Sequence, residues 1–170
     1  MIGKKLLLYG LLLAVALSAG SCRRAAEKVG RKVRFEGIER VERQGLTGAE
    51  IVVRVDNASG YRLALASAEI GIYYGEARVG TIVLCDPVEI ERRTTASVPT
   101  LWRLRISDPL ALYVMVRKVK AGEYGGVFVS CVLEGRGGPV PVNFSREKMP
   151  LSDFLNTFGL SIQDIENFLK

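Results

Sequence analysis

Apolar and polar residues alternate with a period of two along much of this chain. Ile51, Val53 and Val55 alternate with Val52, Arg54 and Asp56, which predicts a half-buried strand ending at Asn57. Before it, Val33, Phe35, Ile38 and Val41 form an extended pattern with an irregularity at Gly37, and the turn residues 44–48 follow. A run from Leu63 and Leu65 through Ala68, Ile70, Ile72 and Tyr74 meets Gly75-Glu76 and returns over Ala77 to Cys85, the clearest hairpin in the chain. Val88–Ile90, Thr94–Ile106 and 125–134 are further strands, and Val140–Phe144, with Pro139 just before it and Pro141 inside it, is placed at an edge.

The period changes at three places. Asp108-Pro109 has the residue types of a helix cap and first helical position, and Leu112, Met115, Val116 and Val119 share one helical face in 110–120. A strand reading of the same β-branched run competes. Ser152–Phe158 and Ser161–Leu169 predict two short helices with apolar residues at helical spacing. Many short strands with one inserted helix and short C-terminal helices define a mainly β chain, an immunoglobulin- or fibronectin-III-like β-sandwich. A small closed barrel is the second architecture the pattern allows.

The first residues follow a different logic. Lys4 and Lys5 precede an apolar run, Leu6–Leu17, and then small residues lead to Cys22. These are the parts of a signal peptide, and the run is short of the roughly 20 residues a spanning helix needs. A cysteine directly after the small residues marks a lipoprotein signal. Leu17-Ser18-Ala19-Gly20-Ser21-Cys22 is a relaxed lipobox, with Ala19 where a strict one has leucine. The expected organisation is a signal peptide over 1–21, a tether over 22–32 following lipidated Cys22, a β-sandwich over 33–145 and a helical tail over 146–170. An ordinary thiol at Cys22, or an uncleaved anchor, are the competing readings. Arg23 after the cysteine, in place of the aspartate that signals inner-membrane retention, points to the outer membrane, facing the periplasm.

Composition narrows the chemistry. Of 24 basic side chains two lie in the signal, leaving 22 against 18 acidic ones, a net of about +4. That is mildly basic, without the concentrated stripe of a nucleic-acid binder. Histidine is absent, which removes Ser-His-Asp and Cys-His mechanisms and the commonest zinc and copper ligand. With Cys22 lipidated, Cys85 and Cys131 remain and form no CxxC. They are read as buried free thiols in preference to a disulfide, whose geometry sequence alone does not reveal.

Carboxylates are then the remaining acid-base tools. Glu89 and Glu91 share a strand face, and with Asp86 they are the set for a glycosidase pair or a calcium site. No EF-hand-like loop accompanies them, and the reading adopted is an exposed edge beside Arg92 and Arg93. The basic residues Arg92, Arg93, Arg103, Arg105, Arg117, Lys118 and Lys120 would form a membrane-facing patch if the fold gathered them at one end; with acidic residues interspersed, ordinary solvated surface is preferred. For the tether residues Arg23, Arg24, Arg31 and Lys32, contact with anionic headgroups is preferred.

Residues 51–80, IVVRVDNASGYRLALASAEIGIYYGEARVG, resemble the late embryogenesis abundant type-2 domain, also called the water-stress and hypersensitive-response domain. Asn57, Leu63, Leu65, Tyr73, Tyr74, Gly75, Val79 and Gly80 fill that family's pattern, and Ala58 stands where it has proline. The looser likeness extends over 33–145. The resemblance implies a fibronectin-like sandwich with no cofactor, no metal and no catalytic residues. The function expected is that of a non-enzymatic, lipid-anchored envelope protein, monomeric, binding or stabilising envelope components under water or osmotic stress. A carrier or accessory subunit holding an apolar ligand between the sheets is the alternative. The tail either packs on the sandwich or docks an envelope protein.

Overall fold

The computed structural model describes residues 31–157 and 159–163. Cys22, its lipobox and most of the expected helix 161–169 lie outside the described residues. Among the described residues, eight strands and two helices follow one another as β1 (Val33–Gln44), β2 (Gly48–Asn57), β3 (Leu63–Tyr74), β4 (Ala77–Leu84), β5 (Val88–Ile90), β6 (Thr94–Ile106), α1 (Pro109–Lys120), β7 (Val127–Gly137), β8 (Val140–Pro150) and α2 (Leu151–Thr157).

All pairings are antiparallel, in the order β1-β2-β6-β4-β3-β7-β8, with β5 paired to the start of β3. The fold is mainly β and sandwich-like, as the alternation predicts. β6 is its hinge. Thr94–Arg103 pair with β2, whereas Trp102–Ile106 pair with β4 on the other edge. One long strand thus serves the β1-β2 layer with its first part and the β4-β3-β7-β8 layer with its last.

The buried apolar residues come from the faces the alternation selects: Val55 on β2, Val98 on β6, Ala68 on β3, and Val127, Val129 and Cys131 on β7. Val79 is almost wholly enclosed. It occupies the irregularity where Ile72 pairs with Gly80 and Tyr73 with Arg78, and the extra residue of such a bulge turns a side chain inward. At neighbouring Gly80 a Cβ would lie 2.6 Å from the Arg105 carbonyl oxygen, so β4 and β6 approach as closely as they do only because that residue is glycine. Gly75 has φ 58°, the left-handed backbone that the β3–β4 turn requires.

The helix reading of 110–120 prevails over the strand reading. The Asp108 carboxylate accepts from the Ala111 N–H at 2.9 Å, Pro109 opens the helix, and Arg117, Lys118 and Lys120 occupy its last turn, where the helix dipole favours positive charge. Leu112, Met115 and Val119 are half-buried against the fold, but Val116, expected on the same face, is exposed.

The last strand differs most from expectation. Expected to end at Phe144, β8 continues to Pro150, because β7 offers an unpaired edge along its full length and the pairing runs from Gly137↔Val140 to Phe128↔Pro150. Its edge position is as the prolines indicate. The run Ser145–Lys148 shows no apolar alternation because a sheet edge tolerates charge on an exposed strand. α2 then starts at Leu151 and returns onto β7 and β8, with Leu155 buried.

Candidate functional site

The two ends of the sandwich differ in chemistry. Val33 pairs with Asn57 and Asn57 with Thr94, so the chain enters the fold at the end where β6 begins. α1 follows Ile106, at the other end.

The entry end is organised by Asn57, which has no solvent-exposed surface. Its Nδ2 donates to the carbonyl oxygens of Tyr61 and Glu91, both at 2.9 Å. Its Oδ1 accepts from the Ser59 N–H at 3.1 Å and from the Ser59 hydroxyl at 2.6 Å. Asn57 thus forms an Asx bond with Ser59, and its amide ties the 58–62 loop to the end of β5. The left-handed residue of this corner is Arg93 (φ 52°); its N–H donates to the Ser59 carbonyl at 3.1 Å. A non-glycine residue held there is strained by about 1–3 kcal/mol. Arg93→Val is expected to lower stability by about 1–2 kcal/mol and Arg93→Gly to be near neutral or mildly stabilising, since a β-branched side chain tolerates this backbone least. Thermal melting of the two variants checks this.

The departure at Ala58 has a structural consequence. Its N–H donates to the Lys32 carbonyl at 2.9 Å and pins the start of β1. A proline in that place has no N–H to give.

The carboxylates flagged from sequence meet a partner the sequence reading missed. Arg62 Nη2 lies 2.8 Å from Glu89 Oε2 and Arg62 Nε lies 2.9 Å from Glu91 Oε1, so a single guanidinium bridges both acids. Arg92 and Arg93, the neighbours in sequence, are not those partners. All three side chains of the clip are more than half exposed, which makes it a modest link between β3 and β5. The alternation of Leu63 and Leu65 around an intervening loop gave no signal that Arg62 would face Glu89 and Glu91 on the antiparallel neighbour. Among the described residues no group of three acidic or cysteine side chains is placed to hold a metal ion.

The basic residues do not form one cluster. Arg92 and Arg93 lie at the start of β6 and Arg103 and Arg105 near its end; about ten residues at roughly 3.3 Å each separate the pairs. Lys118 is paired with Glu123 at 2.7 Å, which raises its pKa. Arg117 stacks over the Tyr113 ring at 5.9 Å.

Cys85 and Cys131 are both free thiols. Cys131 is buried on β7, and desolvation pushes its thiol pKa up, so it is a poor nucleophile. Cys85 departs from the expected burial: it follows the last residue of β4, where the chain turns outward, and it is exposed. Tyr73 lies under Arg78 and Lys148, at 6.0 and 5.7 Å from its ring centre, and the Gly75 N–H donates to the Gly126 carbonyl at 2.9 Å.

No family model and no curated protein matches this chain. Among solved structures, a protein from Archaeoglobus fulgidus is similar at 15% identity, covering 68% of this chain and 96% of that one with a TM-score of 0.42.

Proposed function

We propose that this chain is a lipid-anchored protein of the cell envelope, held through Cys22 in the outer membrane facing the periplasm, whose domain of the late embryogenesis abundant type-2 kind binds or stabilises envelope components and does so without catalysis. Water or osmotic stress is the setting the family resemblance supplies. The observation that carries the reading is the use made of the polar residues around the entry end. Asn57, Ser59, Glu89, Glu91 and Arg62 satisfy one another, and the Lys32 carbonyl is tied to Ala58. This chemistry fixes a scaffold at the point where a tether would leave it. A lipid anchor there leaves the α1 end free for a partner.

The test is Cys22→Ser in the producing cell. The wild-type chain is expected to incorporate labelled acyl chains and fractionate with the outer membrane; the variant is expected to lose the label and leave that fraction. Equal mass and equal membrane partition for both would reject the anchor.

A further inference from the structure

β1 is the first strand in the sheet order and pairs only with β2, so its other edge presents unpaired N–H and C=O groups. Its first half is irregular. The register with β2 shifts between Phe35 and Gly37 and again between Ile38 and Arg40, and the residues passed over are Glu36 and Glu39. Both reach across to Arg54, at 2.9 and 3.2 Å. Bulges and charges of this kind keep a sheet edge from pairing. From Arg40 to Gln44 the ladder is regular and the strand is exposed, and Gly45 (φ 68°) then turns the chain towards β2.

The regular stretch reads Arg40, Val41, Glu42, Arg43, Gln44. Arg40, Glu42 and Gln44 share the face of Val52, Glu50 and Gly48 on β2, while Val41 and Arg43 lie on the other face with Ile51 and Ala49. Val41 is apolar and 43% exposed. Glu42 stands directly across from Glu50, a like-charge pair, and one guanidinium serves both acids. Arg40 Nε lies 3.2 Å from Glu42 Oε1, and Arg40 Nη2 lies 3.1 Å from Glu50 Oε1. Arg43 is in no ion pair among the described residues.

We propose that β1 pairs antiparallel with β1 of a second copy of this chain, about a two-fold axis at Val41. An axis perpendicular to the sheet carries each face onto itself, so it passes beside a residue that faces its own copy. A centre at Arg40, Glu42 or Arg43 sets two like charges together at the axis, which is destabilising. A centre at Gln44 leaves only turn residues beyond it to pair. A centre at Val41 sets valine against valine, Arg40 against the second copy's Glu42, and Glu42 against the second copy's Arg40. Symmetry forms that ion pair twice, and it gives Glu42 a cross-strand cation where its β2 neighbour offers only Glu50. Arg43 then lies opposite the second copy's Glu39. That carboxylate is turned to Arg54, so the position adds no bond, but it opposes no like charge. The charges that guard this edge against other strands thus admit its own copy in a single register. The pairing departs from the monomer expected from the sequence, and it rests on β1 alone, not on acylation of Cys22.

Val41→Cys tests the axis in the full chain, purified in detergent and oxidised with diamide. Every variant also carries Cys85→Ser, which removes the exposed native thiol. Cys22 is common to all of them, so unacylated chain adds the same background to each. Opposed residues of an antiparallel pair have Cα atoms about 4.5–5.5 Å apart, within reach of a disulfide. A disulfide-linked dimer above background is expected for Val41→Cys. None is expected for Gln44→Cys, whose two thiols would stand about 20 Å apart along the paired strands. Arg40→Glu or Glu42→Arg, added to Val41→Cys, is expected to slow the crosslink at least about fivefold, because each turns two attractive cross-strand pairs into two repulsive ones. Arg40→Glu and Glu42→Arg together restore opposite charges across the axis and are expected to restore the crosslink. Absence of the Val41→Cys dimer, an equal dimer for Gln44→Cys, single charge variants that crosslink like the parent, or a double variant as slow as the single ones would each overturn the proposal.

Discussion

Asn57→Ala is expected to lower the stability of the sandwich by about 3–5 kcal/mol, the largest loss from any single side chain in the entry end. The side chain has no exposed surface and makes four hydrogen bonds, two as donor and two as acceptor. Truncation leaves the Tyr61 and Glu91 carbonyls and the Ser59 N–H without this partner in a space that does not readily admit water. Each such group costs about 1–3 kcal/mol when left unsatisfied, and relaxation recovers part of the total. Asn57→Asp separates donor from acceptor roles. It keeps the oxygen that Ser59 uses but aims a carboxylate at two carbonyl oxygens, so it is expected to be at least as damaging as alanine. Denaturation followed through Trp102, the single tryptophan, reads both variants; its indole N–H is held by Thr100 Oγ1 at 2.7 Å inside the fold. A loss below about 1 kcal/mol for Asn57→Ala would show that the corner is held by its backbone and not by this amide.

The parts of the fold legible in the sequence are those in which one local rule acts alone. Period-two alternation in Ile51–Asp56 identifies a strand because one of its faces is buried. Asp108-Pro109 identifies a helix start because cap and fixed φ act on the same turn, and they prevail over the β-branched residues of 112–119. β8 was legible only to Phe144. Beyond it both strand faces meet solvent, so hydrogen bonding to β7 sets the length and leaves no hydropathy trace. The same limit hides Arg62. Its two partners lie 27 and 29 positions away and are brought to it by the β3–β5 pairing, which no local pattern encodes. The basic residues show the reverse error: nearness in composition suggested one patch, and the length of β6 divides it. The packed face of α1 was legible in the sequence. Helical spacing had already set Leu112, Met115 and Val119 on the packed face and left Tyr113 and Val114 off it; the exposure of Val116 is what that spacing did not foretell.

Leu155→Ala is expected to cost about 2–4 kcal/mol, whereas Leu110→Ala is expected to change stability by less than about 0.5 kcal/mol. Both are leucines in helices at the same end of the sandwich. The structure separates them. Leu155 is 4% exposed in α2, which packs on β7 and β8, whereas Leu110 is 72% exposed. The chain after α2 reinforces the seat of Leu155. The Gly159 N–H donates to the Asn156 carbonyl at 3.1 Å and the Leu160 N–H to the Leu155 carbonyl at 3.0 Å, with Gly159 at φ 69° ending the helix in a left-handed turn. A helix of seven residues has too few turns to persist alone in water, so its order depends on the side chains it buries. Truncation after Pro150 is accordingly expected to cost at least as much as Leu155→Ala, and to expose the β7–β8 surface that α2 covers. If Leu155→Ala and the truncation both melt with the wild type while a crosslinked envelope protein disappears, the tail is a docking segment for that protein. If both melt early and the crosslinks persist, α2 belongs to the core and the binding surface lies elsewhere, with the α1 face as its place.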